Sequence, residues 1–269
     1  LLPRMAANGF RGTIYTTAPT ADLLNILLLD SAHIQEVEAE GKNKRLRRTG
    51  AKADAQALYT TKDAEAVAPL IRTRKYGELF SPAPGIRVRF HDAGHILGSA
   101  MAELFVEENG AEIKLVFSGD IGRPNQLLMK DASSVPQADF LFMESTYGNR
   151  NHKGEQESLD ELAEAVAYSR ANGEKVIIPA FAVERTQEIL YSLHLLLRAG
   201  RLPKDMPVYL DSPLAVKATE IFRRYHAYLD GETQDLLKNG EDPLGLPNLK
   251  MSISTADSIR INETKEAAI

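Results

Sequence analysis

Apolar and polar positions along this chain follow first one rhythm and then another. The run "GTIYTT" (12–17) is short and β-prone, which predicts a strand. In "PTADLLNILLLDSAHIQEVEAE", which follows, Leu23, Leu24, Leu27, Leu28 and Ile34 recur at helical spacing behind Pro19 and Thr20, residues that favour a helix start. A polar, basic segment, "GKNKRLRRTGAKAD", reads as a loop. Another short helix is predicted in "TTKDAEAVAPLI", capped by Thr60 or Thr61.

From Gly85 the rhythm shortens. "GIRVRF", "MAELFV" and "IKLVFSGD" are β-rich runs separated by Gly, Asp and Asn, the pattern of adjacent strands. "ADFLFMEST" is too uniformly apolar for a half-exposed strand and is expected in the middle of a sheet. After "YGNRNHKGEQE" the order alternates strictly: a helix over 158–171, the strand "KVIIPAF", the helix "ERTQEILYSLHLLLRAG", the strand "PVYLDS" and the helix "VKATEIFRRYHAYL". A βαβαβ order predicts a parallel, doubly wound sheet, and the chain as a whole reads as α/β. The boundary between the two styles is expected near 148–155.

Composition narrows the class. With 269 residues, 43% of them hydrophobic, the chain can build one large domain or two ordinary ones. It has no cysteine, which excludes disulfides and thiolate metal sites and favours an intracellular, cytoplasmic protein. No apolar run reaches the roughly 18 residues of a membrane span, so no membrane association is expected. The net charge of −5 gives no overall positive field, and any nucleic acid must be met by local basic patches. The run Lys42, Lys44, Arg45, Arg47 and Arg48 is such a patch, or else a solvated face. The opening "LLPRMAANGF" and closing "NETKEAAI" both look cut, and the expectation is an internal piece of a longer protein.

Candidate chemistry begins with "FHDAGHILGSA", which holds His91 and His95 four positions apart. On a helix that spacing would aim both rings at one metal ion. Asp92, Gly94, Gly98 and Ser99 are weak helix formers, so the pair belongs on a strand end and the loop leaving it. For either ring alone, a hydrogen-bonded structural role is the simpler reading. Asp120, however, ends "KLVFSGD", and Glu144 ends "DFLFME", so polar groups follow the ends of three successive strands. Sites gather at such ends because loops converge there without breaking the core. Further along, Arg185 opens a helix where a phosphate can meet both a guanidinium and a helix N-terminus, unless it is simply an exposed charge; Ser212 is a candidate of the same kind. His33, His194 and His226 fall in helical patterns and read as structural, and His152 has no assigned role.

"DAGHILGSA", "FSGDIGR", "MESTYGNR" and "IPAFAVERTQEIL", in that order, resemble the metallo-β-lactamase-fold nucleases of the β-CASP group, which act in RNA processing. The resemblance covers essentially the whole chain. It implies part of a metallo-β-lactamase αββα sandwich over 1–149, followed by part of a Rossmann-like β-CASP domain over 150–269 that clamps nucleic acid. It also implies zinc-dependent hydrolysis of RNA by two ions, with a homodimer possible for the whole protein. Residue by residue, His95 matches a ligand of the first zinc, Asp120 the aspartate bridging two zincs, and Glu144 the acid that orients a catalytic histidine. His91 then reads as a neighbour rather than a ligand. The family's His-X-His-X-Asp-His motif is absent from these six histidines, as are two later ones, so the piece itself is expected to hold metal weakly and to be inactive. The alternatives are a DNA or small-phosphodiester hydrolase on the same fold, and a non-catalytic RNA-binding or scaffold paralogue.

Overall fold

The computed structural model describes residues 1–150 and 154–269, and His152 lies outside the described residues. Helix α1 (Leu2–Ala7) leads into β1 (Ile14–Thr16), and α2 (Ala18–Arg48) and α3 (Thr61–Glu65) follow before β2 (Ile71–Thr73) returns to pair with β1 in parallel. The Thr17 hydroxyl caps α2 by accepting from the Thr20 amide. Thr60 and Asp63 cap α3 reciprocally, each side chain taking the other's backbone N–H.

The basic stretch expected as a loop is helical up to Arg48 and forms the last turns of α2. Lys, Arg and Leu are good helix formers, and cations at a helix C-terminus complement its dipole; together these outweigh the cost of Gly41. All five cations of the run are exposed.

Strands β3 (Leu79–Ala83), β4 (Ile86–Asp92), β5 (Ala100–Glu108), β6 (Ala111–Phe117) and β7 (Phe140–Phe142) form one sheet in that order. The three runs expected as adjacent strands are β4, β5 and β6, which pair antiparallel with β3 added before them, and β7 joins β6 in parallel. Expected in the centre, β7 instead stands at an edge, with Phe140, Leu141, Phe142 and Met143 exposed. Its apolar character reflects a face that no other described element covers, and Phe142 stacks on Phe117 of β6 with ring centroids 4.6 Å apart. Because β4 and β6 both run antiparallel to β5, and β7 runs with β6, the carboxyl ends of β4, β6 and β7 lie at one end of the sheet.

The second half contains α4 (Glu155–Asn172), α5 (Arg185–Arg198), β8 (Val208–Leu210), α6 (Pro213–Arg224), α7 (Gly231–Lys238), β9 (Leu249–Met251) and α8 (Thr255–Glu263). Parallel pairing is present, and among the described residues of this half it consists of β8 with β9 and one isolated bridge. The segment "KVIIPAF" is not a strand. It makes one bridge, Lys175 to Ala268, and leaves Ile177 and Phe181 each 85% exposed. Pro179 removes a donor there, and no described strand lies alongside to form a ladder.

The core takes its residues from both halves. Leu23 of α2, Leu97 and Met129 share one buried cluster with Leu190 and Leu193 of α5 and Ile221 and Phe222 of α6. Burying each such side chain is worth about 1.5–3 kcal/mol. At the edge of this contact, Asp22 on α2 accepts from Arg224 at 2.7 Å and from the Tyr225 hydroxyl at 3.0 Å.

Candidate active site

Strand direction brings the three predicted residues together. His95 follows β4, Asp120 follows β6 and Glu144 follows β7, and all three line one cavity of about 1110 Å³. The strands are not successive, since β5 lies between β4 and β6. The His95 Nε2 atom lies 3.9 Å from Asp120 Oδ2, and Asp120 is the more exposed of the two.

The loop carrying His95 is held by side chains at nearly every step. The Gly94 amide donates to Asp92 Oδ1 at 2.9 Å, and the His95 and Ile96 amides share the Ser99 hydroxyl, each at 3.2 Å. The Leu97 amide donates to Glu184 Oε2 at 3.2 Å. Two hydroxyls, from Thr17 and Thr20, donate to the Gly98 carbonyl, each at 2.8 Å. Gln126 donates to the carbonyls of Gly94 and His95. The Gly122 amide reaches the Ala93 carbonyl at 2.9 Å, and the backbone there packs so closely that a Cβ on Gly122 would overlap the Gly94 carbonyl. Glycine is required at 122 by that approach rather than by its own φ.

Glu144 Oε1 accepts from the Ile121 amide at 2.5 Å. That bond holds its carboxyl below the usual value, with the Thr146 hydroxyl and the neighbouring His95 acting in the same direction. Its immediate backbone partner is therefore on the loop that carries Asp120.

An imidazole nitrogen and a carboxylate oxygen are donors of the kind zinc takes. They are two, and among the described residues no group of three or more His, Asp or Glu side chains could hold a metal. The fit is chemically right and numerically partial: His95 and Asp120 could supply part of a coordination shell.

Residues 186–269 match the Beta-Casp domain family model. Over 97% of its length the chain is 32% identical to "Ribonuclease TTHA0252" of Thermus thermophilus, covering 54% of that protein. It is 33% identical to "Transcription termination factor FttA" of Thermococcus kodakarensis over 97% of its length and 38% of the relative. An "RNase J-like protein" of Methanocaldococcus jannaschii is 31% identical over 86% of the chain and 49% of its own length. Residues 186–269 carry the Beta-Casp domain, and the chain is similar to these RNA-acting relatives along nearly its whole length. It spans about half the length, or less, of these curated relatives. Nucleases of this metallo-β-lactamase-fold family are metal-dependent.

The remaining expected residues fall on both sides of the cavity wall. Arg185 lines the cavity at the head of α5 and pairs with Glu188 at 2.9 Å. Ser212 is not among the cavity's lining residues; its hydroxyl caps α6 by accepting from the Ala215 amide at 3.2 Å. His91 points away from the loop into an ionic cluster, its Nε2 2.8 Å from the buried Glu103, which also meets Lys114 at 2.5 Å. His194 is buried on α5 with Nδ1 3.3 Å from the Gly245 carbonyl, while His33 and His226 are exposed.

Sequence reading missed two carboxyls that line the same cavity. Glu155, at the head of α4, has its carboxyl raised by burial, and its Oε1 has no partner among the described residues. Glu184 is 7% exposed, and burial pushes its carboxyl up to about 8, with Glu188 adding to the effect. Nothing in "AVERTQE" distinguishes Glu184 from an ordinary acidic residue at a helix start.

Proposed function

We propose that the intact protein hydrolyses phosphodiester bonds in RNA with bound divalent metal, and by donor chemistry that metal is zinc. The observation that supports this reading best is the shared cavity, where an imidazole and two carboxylates converge from the ends of β4, β6 and β7. His95 and Asp120 would hold the metal on one side, with further ligands supplied from outside this chain's described donor set. The metal, when bound, supplies a water acidic enough to attack phosphorus at neutral pH. Glu144 stays ionised next to His95 and fixes the Asp120 loop through the Ile121 amide. Arg185 and the exposed Arg150 at the cavity wall would meet the phosphate backbone.

The printed name of the Thermus relative supports RNA as the substrate, and a cleft of this size suits a polymer strand. The relatives named as transcription termination factors support a second reading, in which the intact protein ends transcription; release of transcripts from a purified elongation complex tests it.

For the first reading, Asp120→Ala in the intact protein is expected to lower both metal content and RNA cleavage. Even residues that only support a metal ligand cost 10–100-fold when lost, so a ligand itself should cost at least about a hundredfold. A variant with full metal content and wild-type cleavage would refute the assignment.

A further inference from the structure

The segment joining "KVIIPAF" to α5 contains the most unusual backbone near the cavity. Glu184 sits at φ 68° and ψ −67°, a region that side chains other than glycine's rarely enter. The Arg185 amide reaches back to the Val183 carbonyl at 3.0 Å, closing a three-residue γ-turn of the rare, strained kind. The Glu184 carbonyl then accepts from the Glu188 amide at 2.9 Å, starting the helix. Glycine would satisfy this backbone without strain, so the turn alone does not call for a glutamate.

The side chain adds a second cost. It is almost fully buried, Oε1 has no hydrogen-bond partner among the described residues, and the next carboxylate along the helix face is Glu188. A buried carboxyl with half its capacity unused is destabilising unless the other half does something. What it does is accept the Leu97 amide, 87 residues away, two positions beyond His95. Strained φ/ψ values and buried polar groups persist where the surroundings demand them, and an observed outlier is a fair starting point for a functional inference.

We infer that Glu184 is a positioning residue: a strained turn at the head of α5 aims its carboxyl at the Leu97 amide and so fixes the loop that presents His95. Ser99, Gln126, Thr17 and Thr20 hold that loop from the first half of the chain. Glu184 is a hold that comes from the second half of the chain, two residues before the matched Beta-Casp domain. It makes the position of a metal-ligand candidate depend on where α5 sits. The inference rests on the reading of His95 as a functional-site residue, and its test is separable from that reading.

The test uses the intact protein with Glu184→Gly and Glu184→Gln. Glycine relieves the turn and removes the carboxyl; glutamine keeps an acceptor oxygen. Amide hydrogen exchange of the 94–99 segment is expected to quicken about tenfold in Glu184→Gly, the factor one ordinary hydrogen bond supplies. The melting temperature should hold or rise in the same variant, because the strain is gone. Glu184→Gln should keep the wild-type exchange rate. With RNA, Glu184→Gly should lower kcat and leave KM in place, and Glu184→Gln should restore kcat. Unchanged exchange in Glu184→Gly, or equal quickening in both variants, would overturn the inference. A wild-type protein that does not cleave RNA would count against the proposed function instead, and the exchange result would still decide the role of Glu184.

Discussion

A carboxyl group shut away from water resists ionisation, and Glu184 turns that into a dependence of folding on pH. Its folded value of about 8 lies above the usual 4.5. A raised carboxyl contributes stability that is fully present below its unfolded value and is lost as pH rises through the folded one. The loss should run from about pH 4.5 to about pH 8, at roughly 1.4 kcal/mol per pH unit, an upper bound given local relaxation. Glu184→Gln has no proton to lose. Relative to the parent it should gain stability steadily between pH 5 and pH 8, read by urea midpoints at several pH values; a constant difference across that window would contradict the account. Residue-level legibility divides along the same line. His95, Asp120 and Glu144 were visible because strand ends and motif spacing are written in residue order. Glu184 was not, since its importance lies in a backbone angle and in a contact 87 positions away, neither of which leaves a local trace.

Among the elements, the β-rich runs from Gly85 are adjacent strands as expected, and three segments differ from expectation for separate physical reasons. The basic tail of α2 reads as a loop on its polarity alone, yet Lys, Arg and Leu are good helix formers and the helix runs on to Arg48. Gly41 is helical, exposed, and has nothing within 4 Å of where a Cβ would stand. Gly41→Ala is therefore expected to stabilise the chain by about 0.5–1 kcal/mol, measured by chemical denaturation, with no change in RNA cleavage by the intact protein. An unchanged or lowered midpoint would mean that the helix ends before Lys42. For β7, uniform apolarity signalled that a face wants cover, which composition cannot distinguish from a central place in the sheet. For "KVIIPAF", β-prone residues were read as a strand, yet strands exist only with neighbours, and the described neighbour is one bridge at Lys175.

Over the whole molecule, the sequence predicts a change of rhythm near 148–155, and the core runs across that point without a break. Two half-chains with separate cores would unfold separately. Here Leu23 and Leu97 pack in the same buried cluster as Leu190 and Phe222, and Asp22 ties α2 to the end of α6. Heating should produce one transition, with calorimetric and van't Hoff enthalpies in agreement, and Asp22→Ala should lower its midpoint without splitting it. Two resolved transitions would show the halves to be energetically separate. Sequence reading expects two styles of organisation because each has its own period, and the second is only partly present, since "KVIIPAF" forms no strand. It could not find their shared interior, because contacts across 200 residues have no period.

The loop between β4 and β5 carries one more consequence. Four successive backbone N–H groups, Gly94 through Leu97, already donate to Asp92, Ser99 and Glu184. A run of free amides could curl into a nest around an anion, as glycine-rich turns do. This run is spent on its own scaffold, so the loop offers an anion no main-chain cradle, and a phosphate chain at the proposed site would have to be held by other groups.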